Sequence, residues 1–312
     1  MTLRRTVCTS IAIVVALLMG IPALASAQDD PEPGPYLPDF YEGVRAAGAG
    51  GAHTAITSGV DSLYQNPAGI ARAPMYVVDG TFAYSPNGAT IGAGVADSLH
   101  NPDFGLGVGY NYFFGTGDHD HISGHDARVA FGVPVVPEQI SIGAGLRYLR
   151  FSDETIPITD DDDSQALIRG LTFDAGVSVR LDDTIHLGLK GENFIDHCAD
   201  DDRCRGATPT RITAGFGAGF ETTFLISGEA GLDLTSSDSP LIDFAAGAEY
   251  LAGHAVPLRV GFERRAFFDR NLLTFGMGWR SEEFGIDASY RHDLSNPSDI
   301  GYMSMSFSLY LF

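Results

Sequence analysis

From about Met75 onward, apolar and polar residues alternate, and a sustained period of two leaves few folds open. In LTFDAGVSVRL, Leu171, Phe173, Ala175, Val177, Val179 and Leu181 share one face, and Thr172, Asp174, Gly176, Ser178 and Arg180 share the other. TIHLGLKGE sets Ile185, Leu187 and Leu189 against His186, Gly188 and Lys190, and LLTFGMGWR sets Leu273, Phe275, Met277 and Trp279 against Thr274, Gly276, Gly278 and Arg280. Successive side chains of a strand point to opposite sides, so each segment reads as a strand with one apolar and one polar face. After residue 27 no run reaches the roughly 18 consecutive apolar residues of a spanning helix.

About fourteen such segments recur, each near the ten residues a tilted strand needs to cross a bilayer. They fall near 75–84, 88–98, 103–113, 125–133, 139–151, 168–180, 184–193, 209–219, 222–233, 240–250, 255–264, 270–280, 283–294 and 299–312. Longer acidic loops follow odd strands, as in GTGDHDHISGH, SDETIPITDDDDSQAL and DHCADDDRCRG; short turns such as LHNP, DD and SE follow even ones. A soluble sandwich also alternates, but it has no need of systematic loop asymmetry. The pattern predicts an all-β chain: an antiparallel transmembrane β-barrel of about 14 strands with both termini on the short-turn, periplasmic side. In the last strand, MSMSFSLYLF, Tyr310 and Phe312 fall on the polar parity; either the register breaks there or the strand is apolar on both faces.

The chain opens with MTLRR, the apolar run IAIVVALLMGIPALA and the small-residue site ASA, the layout of a secretory signal peptide cleaved near Ala27. Cys8 precedes the apolar run, so it is not a lipid-attachment cysteine. Without residues 1–27 the chain loses Arg4 and Arg5 from its 19 Lys and Arg, so 17 basic residues face 40 acidic ones and the formal charge moves from −21 to −23. So acidic a chain repels nucleic acid, which is excluded as a partner. Cys198 and Cys204, in HCADDDRC, read as a disulfide closing a small surface loop of an exported protein. The rival is a metal site with His197 and the neighbouring aspartates, although tetrahedral zinc sites use tighter spacing and more ligands.

Ahead of the strands lie a Pro-rich lead, DDPEPGPYLPDF, and the unlike stretch RAAGAGGAHTAITSGVDSLYQNPAGIAR. Asp61 is placed to cap a short helix over Ser62–Gln65, and Asn66 to cap a second with Pro67 at its first position, where a missing N–H costs nothing. Gly48, Gly50 and Gly51 allow the backbone to run close against a neighbouring surface. A compact segment of caps, glycines and alanines reads as a plug folded into the periplasmic mouth of the barrel, whose lumen would otherwise be open water.

GAGGAHTAI, then an aspartate, then YQNPAGIA resembles the N-terminal hatch of the long-chain fatty-acid transporter (FadL) superfamily, most closely its shorter PorV-type members. The resemblance covers residues 43–72, with the NPAG-type motif on Asn66, Pro67, Ala68 and Gly69. It implies a fourteen-stranded barrel with an N-terminal hatch in the outer membrane of a Gram-negative-type bacterium. The expected layout is a signal peptide over 1–27, the Pro-rich periplasmic lead over 28–42, the hatch over 43–73 and the barrel over 74–312. Two functions follow from the resemblance. Small hydrophobic or amphipathic molecules bind or pass by a mobile hatch, or, as in PorV-type proteins, the barrel is a docking or shuttle component of type IX-like protein secretion.

The polar face predicts a lumen lined by Arg128, Arg147, Asp174, Arg180, Lys190, Glu192, Arg211, Glu229, Asp233, Asp243, Glu249, Arg259, Glu263, Arg280, Asp287 and Arg291, whose mixed signs pair across the interior. Some barrels are hydrolases with Asp and His on the rim, and GDHDHISGHD, with His119, His121 and His125, lies there. No G-x-S-x-G, H-E-x-x-H or calcium-loop spacing accompanies it, so no catalytic residue, metal or cofactor is assigned. The expected partners are outer-membrane lipid and lipopolysaccharide, with a hydrophobic small molecule or secretion proteins according to the function.

Overall fold

The computed structural model describes residues 42–311 other than 157–164, 200, 202 and 296–300. The signal peptide, the Pro-rich lead before Glu42, the acidic run ITDDDD and Phe312 fall outside the described residues. Fourteen strands close on themselves: β1 (Tyr76–Ser85), β2 (Gly88–Asp97), β3 (Gly105–Gly115), β4 (Ile122–Val136), β5 (Ile140–Asp153), β6 (Ala166–Arg180) and β7 (Ile185–Glu192). The circuit continues through β8 (Arg211–Phe220), β9 (Phe224–Asp233), β10 (Leu241–Ala252), β11 (Val256–Arg265), β12 (Arg270–Arg280), β13 (Phe284–Asp293) and β14 (Tyr302–Leu311). Every strand pairs antiparallel with its sequence neighbours, and β1 meets β14 from Tyr76 opposite Leu311 to Tyr84 opposite Met303. Closure leaves no unpaired edge, the condition a sheet must meet to sit in hydrocarbon.

Parity assigns the faces. Ile91, Leu106, Leu146, Phe173, Val260 and Met277 are exposed on the outside, whereas Asp126, Arg147, Lys190, Glu249 and Arg259, on the other parity, are buried inside. An apolar exterior around a polar interior is the arrangement of a transmembrane barrel. β14 keeps its register to Leu311, and Tyr310 simply faces inward, where it packs against the buried cluster around Val77. The last described strand therefore does not break register.

One end of the barrel carries short turns, such as 181–184, 221–223 and 281–283, and the other carries longer loops. The loop rule holds less strictly than the sequence reading expects. At the long-loop end, β1 and β2 are joined by only Pro86 and Asn87, and β11 and β12 by residues 266–269. The loop 193–210 departs further. It folds inward, with Phe194 N–H donating to the Phe173 carbonyl at 3.1 Å and Ile195 N–H to Thr172 Oγ1 at 3.1 Å. Cys198 and Cys204, joined as a disulfide, are fully buried against Phe113, Leu149, Phe151 and Ile168. The disulfide is thus part of an apolar cap over one side of the mouth, and not on the surface loop expected. Apolar neighbours (Phe113, Ile122, Leu149) lie on the inward parity of their strands, so the loop has a surface to bury against.

Candidate functional site

Residues 42–75 touch strands all round the circumference, so they lie inside the barrel. The segment comprises α1 (Val44–Gly48), a 3-10 turn at Gly59–Asp61, α2 (Ser62–Gln65) and a 3-10 turn over Pro67–Ala71. None of these is long enough to be stable alone; the wall holds them. On one side, Gly50 N–H donates to Thr274 Oγ1 at 2.9 Å, and that hydroxyl donates to the Gly48 carbonyl at 3.1 Å. Opposite, Ser141 Oγ donates to the Ala68 carbonyl at 2.8 Å, Arg128 to the Leu63 carbonyl at 3.1 Å, and Glu229 accepts from Thr54 N–H at 3.1 Å.

The wall makes room for this segment by lacking side chains. Gly105, Gly132, Gly143 and Gly176 stand opposite one another across β3 to β6, and Gly247 stands opposite Gly261 on β10 and β11. A Cβ on Gly143 would come 2.4 Å from Ala68 N, one on Gly261 2.3 Å from Gly50 N, and one on Gly176 1.9 Å from Asn66 Oδ1. Part of the chain's abundant glycine forms a belt here, on which backbone lies against backbone. Gly48 packs against Gly276 in the same way, and Gly50 sits against Ala246 and Phe262 with a positive φ of 73° that favours glycine. Gly51, also at positive φ, has ordinary contact only with Glu263.

The motif residues divide. Asn66 is the hub: its Oδ1 accepts from Ala68 N–H at 3.1 Å, and its Nδ2 donates to the Thr54 carbonyl at 2.8 Å and the Val177 carbonyl at 3.2 Å. It thereby caps the Pro67–Ala71 turn, ties the segment to itself and ties it to β6. Gly69 is required because a Cβ would meet Thr57 and Ser62 within 2.7 Å. Asp61 does not cap α2; its own backbone is helical, and its carboxylate turns back toward Gly43. A cap residue needs extended backbone to aim its oxygen at the N–H groups ahead, and Asp61 follows a 3-10 turn that denies it that. Part-burial, reinforced by the nearby Asp79, pushes the Asp61 carboxyl up to about 7. Burial, with Arg45 beside it, keeps the fully buried His53 neutral.

Charges lock the segment at both ends. Arg45 donates to both oxygens of Glu249 at 3.1 and 3.0 Å, and Glu249 also pairs with Arg259, which reaches Asp287. Glu42 pairs with Arg291 at 2.7 Å and with Arg265 at 2.5 Å, near the long-loop end. Burial opposes ionisation of Glu42, but those two guanidiniums outweigh it and hold its carboxyl well below the usual range. Arg72, at the short-turn end, donates to the Ile56 carbonyl at 2.7 Å and pairs with Glu221. The segment therefore runs through the lumen from near one rim to the other, rather than sitting only in the short-turn mouth.

The other expected lumen charges are placed as follows. Arg147 and Arg128 share Asp126, each at 3.0 Å, beneath the Tyr64 ring, which lies 4.7 Å from the Arg128 guanidinium. Lys190 pairs with Glu192 at 2.8 Å, and Arg211 lies 3.6 Å from Glu192 and 3.1 Å from Asp243. Glu263 pairs with Arg265 at 2.6 Å. Arg180 stands at the rim, paired with the exposed Asp183 at 2.9 Å. Sequence reasoning missed Asp126, Glu42 and Arg45. Asp126 shares the parity of Arg128 two residues on and was there to be read; the other two precede the first strand, and their partners are over 200 residues away.

At the long-loop end the segment leaves an open recess of ≈ 620 Å³, counting the solvent at its mouth. Arg265, Arg270, Leu272, Arg291 and Tyr302 line it, and Glu42, Gly43 and Ala47 close its floor.

No family model matches the chain, and no curated protein matches it. Solved structures do match in fold. The CymD monoaromatic hydrocarbon channel superposes with a TM-score of 0.61 at 13% identity, over 88% of this chain and 98% of the other. The toluene transporter TodX of P. putida superposes with a TM-score of 0.59 at 10% identity, over 87% and 98%. The toluene transporter TbuX of Ralstonia pickettii gives 0.53 at 11% identity, over 86% and 97%. At such identities the likeness is one of fold.

Proposed function

We propose that the chain is an outer-membrane channel of the FadL superfamily that binds or passes small hydrophobic or amphipathic molecules, with residues 42–73 as its hatch. In this reading the short-turn end, where β14 finishes at Leu311, is periplasmic, the long-loop end, near which Glu42 lies, faces outward, and the protein is not an enzyme. The observation that carries it is a closed barrel whose lumen is occupied by a segment held through its backbone on glycines and through exchangeable ion pairs at its ends. Such an occupant blocks the path while seated and requires no rearrangement of the wall to leave it. The recess above Glu42 is where a molecule arriving from the long-loop side is first enclosed. Uptake of radiolabelled toluene by cells with a lipopolysaccharide outer leaflet should be faster with the protein than with an empty vector; equal rates would overturn the reading.

A second reading rests on the completeness of the packing. Segment, ion pairs and the inward loop 193–210 together fill the interior below the recess, which suits a PorV-type barrel that docks secretion proteins and passes nothing. Native mass spectrometry separates the two: a co-purifying protein favours docking, and a co-purifying small molecule favours the channel.

A further inference from the structure

The outer wall carries an arrangement that the lumen does not explain. Arg150 on β5 stands directly opposite Arg169 on β6, and His125 on β4 stands opposite Arg150 from the other side. All three lie on the outward parity, and both arginines are exposed. Like charges facing each other across a strand pair destabilise a sheet. Among the described residues neither arginine has an ion-pair partner, although the chain carries 40 acidic residues against 19 basic ones. An anion seated between them would relieve that repulsion.

Height along the wall says where that anion is. On β5 the outward series runs Leu146, Tyr148, Arg150, with Leu171 on β6 opposite Tyr148. Tyr110 joins the same zone, its hydroxyl 2.6 Å from His125 Nδ1, and the Tyr112 ring lies 5.1 Å from that of His125. Apolar, then aromatic, then cationic is the order of hydrocarbon core, interface and headgroup layer. Successive outward residues lie about 7 Å apart along the tilted strand, so the arginines stand one step above the tyrosines, at the long-loop end. Guanidiniums bind phosphate oxygens in bidentate fashion, and two side by side suit a phosphate monoester better than any neutral headgroup.

We propose that Arg150 and Arg169, with His125 beside them, bind a phosphate on the sugar headgroup of outer-leaflet lipopolysaccharide. This rests on the reading that the long-loop end faces outward. The bound phosphate cancels the repulsion between the two guanidiniums and fixes β4 to β6, the strands beneath the inward loop, against the lipid.

The test uses the full chain in non-ionic detergent, titrated with purified bis-phosphorylated lipid A, with the same lipid after dephosphorylation, and with inorganic phosphate, and followed by native mass spectrometry. Wild type should retain lipid A, and R150Q/R169Q should bind it roughly tenfold or more weakly. R264Q, which removes an arginine already paired with Asp269, should bind as wild type does. A second readout is reciprocal. In lipid-free detergent the double variant should unfold at a higher temperature than wild type, and lipid A should stabilise wild type alone. Equal retention by wild type and R150Q/R169Q overturns the proposal, as does equal binding of the dephosphorylated lipid. If inorganic phosphate saturates the pair at concentrations where lipid A does not bind, the site is a phosphate site and the lipid assignment falls. Should the double variant not fold, R169Q alone decides by the same retention. None of these results depends on whether toluene passes the barrel, and surface labelling establishes orientation separately.

Discussion

Asn66→Ala is the sharpest probe of the proposed hatch, because one side chain makes three separate bonds there. It holds Ala68 N–H, the Thr54 carbonyl and the Val177 carbonyl at 3.1, 2.8 and 3.2 Å, and it is completely buried. At about 1 kcal/mol net for each hydrogen bond, its loss weakens the seated state by about 3 kcal/mol. Each 1.4 kcal/mol is roughly tenfold in population, so the unseated fraction should rise by about a hundredfold. Asn66→Ser divides that sum. Serine still caps Ala68 N–H but does not reach the two carbonyls, so it should forfeit about 2 kcal/mol and open roughly thirtyfold more often. Gly176→Ala approaches the same joint from the wall, since its Cβ would lie 1.9 Å from Asn66 Oδ1. The assay is the frequency of conducting events in planar bilayers, for variants whose heat-modifiable gel mobility shows an intact barrel. If N66A opens no more often than wild type, or N66S opens as often as N66A, the three-bond account of the seat is wrong.

Deleting residues 42–72 should leave a barrel that inserts and conducts strongly, because the strands close on one another without the segment; a deletion that conducts no better than wild type refutes the hatch. Raising pH should loosen the seat. Asp61, raised to about 7 from an ordinary 3.8, contributes stability in its protonated form, which is complete below about 4 and lost as pH climbs through 7. Glu42 acts oppositely only below its usual 4.5, and buried His53, also opposite in sign, is complete above its ordinary 6.5, so hydrogen exchange of residues 43–65 between pH 7 and 8 reports Asp61, and D61N should flatten it. Replacing Cys198 and Cys204 by Ala should leave the strands assembled but cost the inward loop about 2 kcal/mol, read as faster proteolysis between residues 193 and 210. A cysteine placed at the exposed Asp118 should label in intact cells, and one at Glu282 only after the outer membrane is permeabilised.

Much of the wall was legible in advance, since a period of two fixes both strand and face once one face is apolar. The parity of Arg147, Lys190, Glu249 and Arg259 follows from that rule, as do the strand limits to within a few residues. The interior segment was legible only as an anomaly. Its turns are too short for periodicity, and Asp61 shows how a cap judged from residue type alone misleads when the preceding turn fixes its backbone. The inward fold of the cysteine loop was hidden for another reason. The residues that bury it, among them Phe113, Leu149 and Phe151, sit at inward positions of strands far away in sequence, and no local pattern marks a loop that they attract.

The ion pairs of α1 also constrain the order in which the molecule is completed. Glu42 meets Arg291 across 249 residues, and Arg45 meets Glu249 across 204. Contacts of such separation form late, because the loop between them must be closed first. The earliest-made part of the interior therefore waits for β10 to β13, the last-made part of the wall, before it can settle. Residues 54 to 68 lean instead on β4 to β9 and can find their places sooner. By the same rule the pairing that closes the sheet, Tyr76 opposite Leu311, is also late, because β14 is the last strand made. Sealing of the pore and closure of the sheet are therefore the two steps that finish the protein.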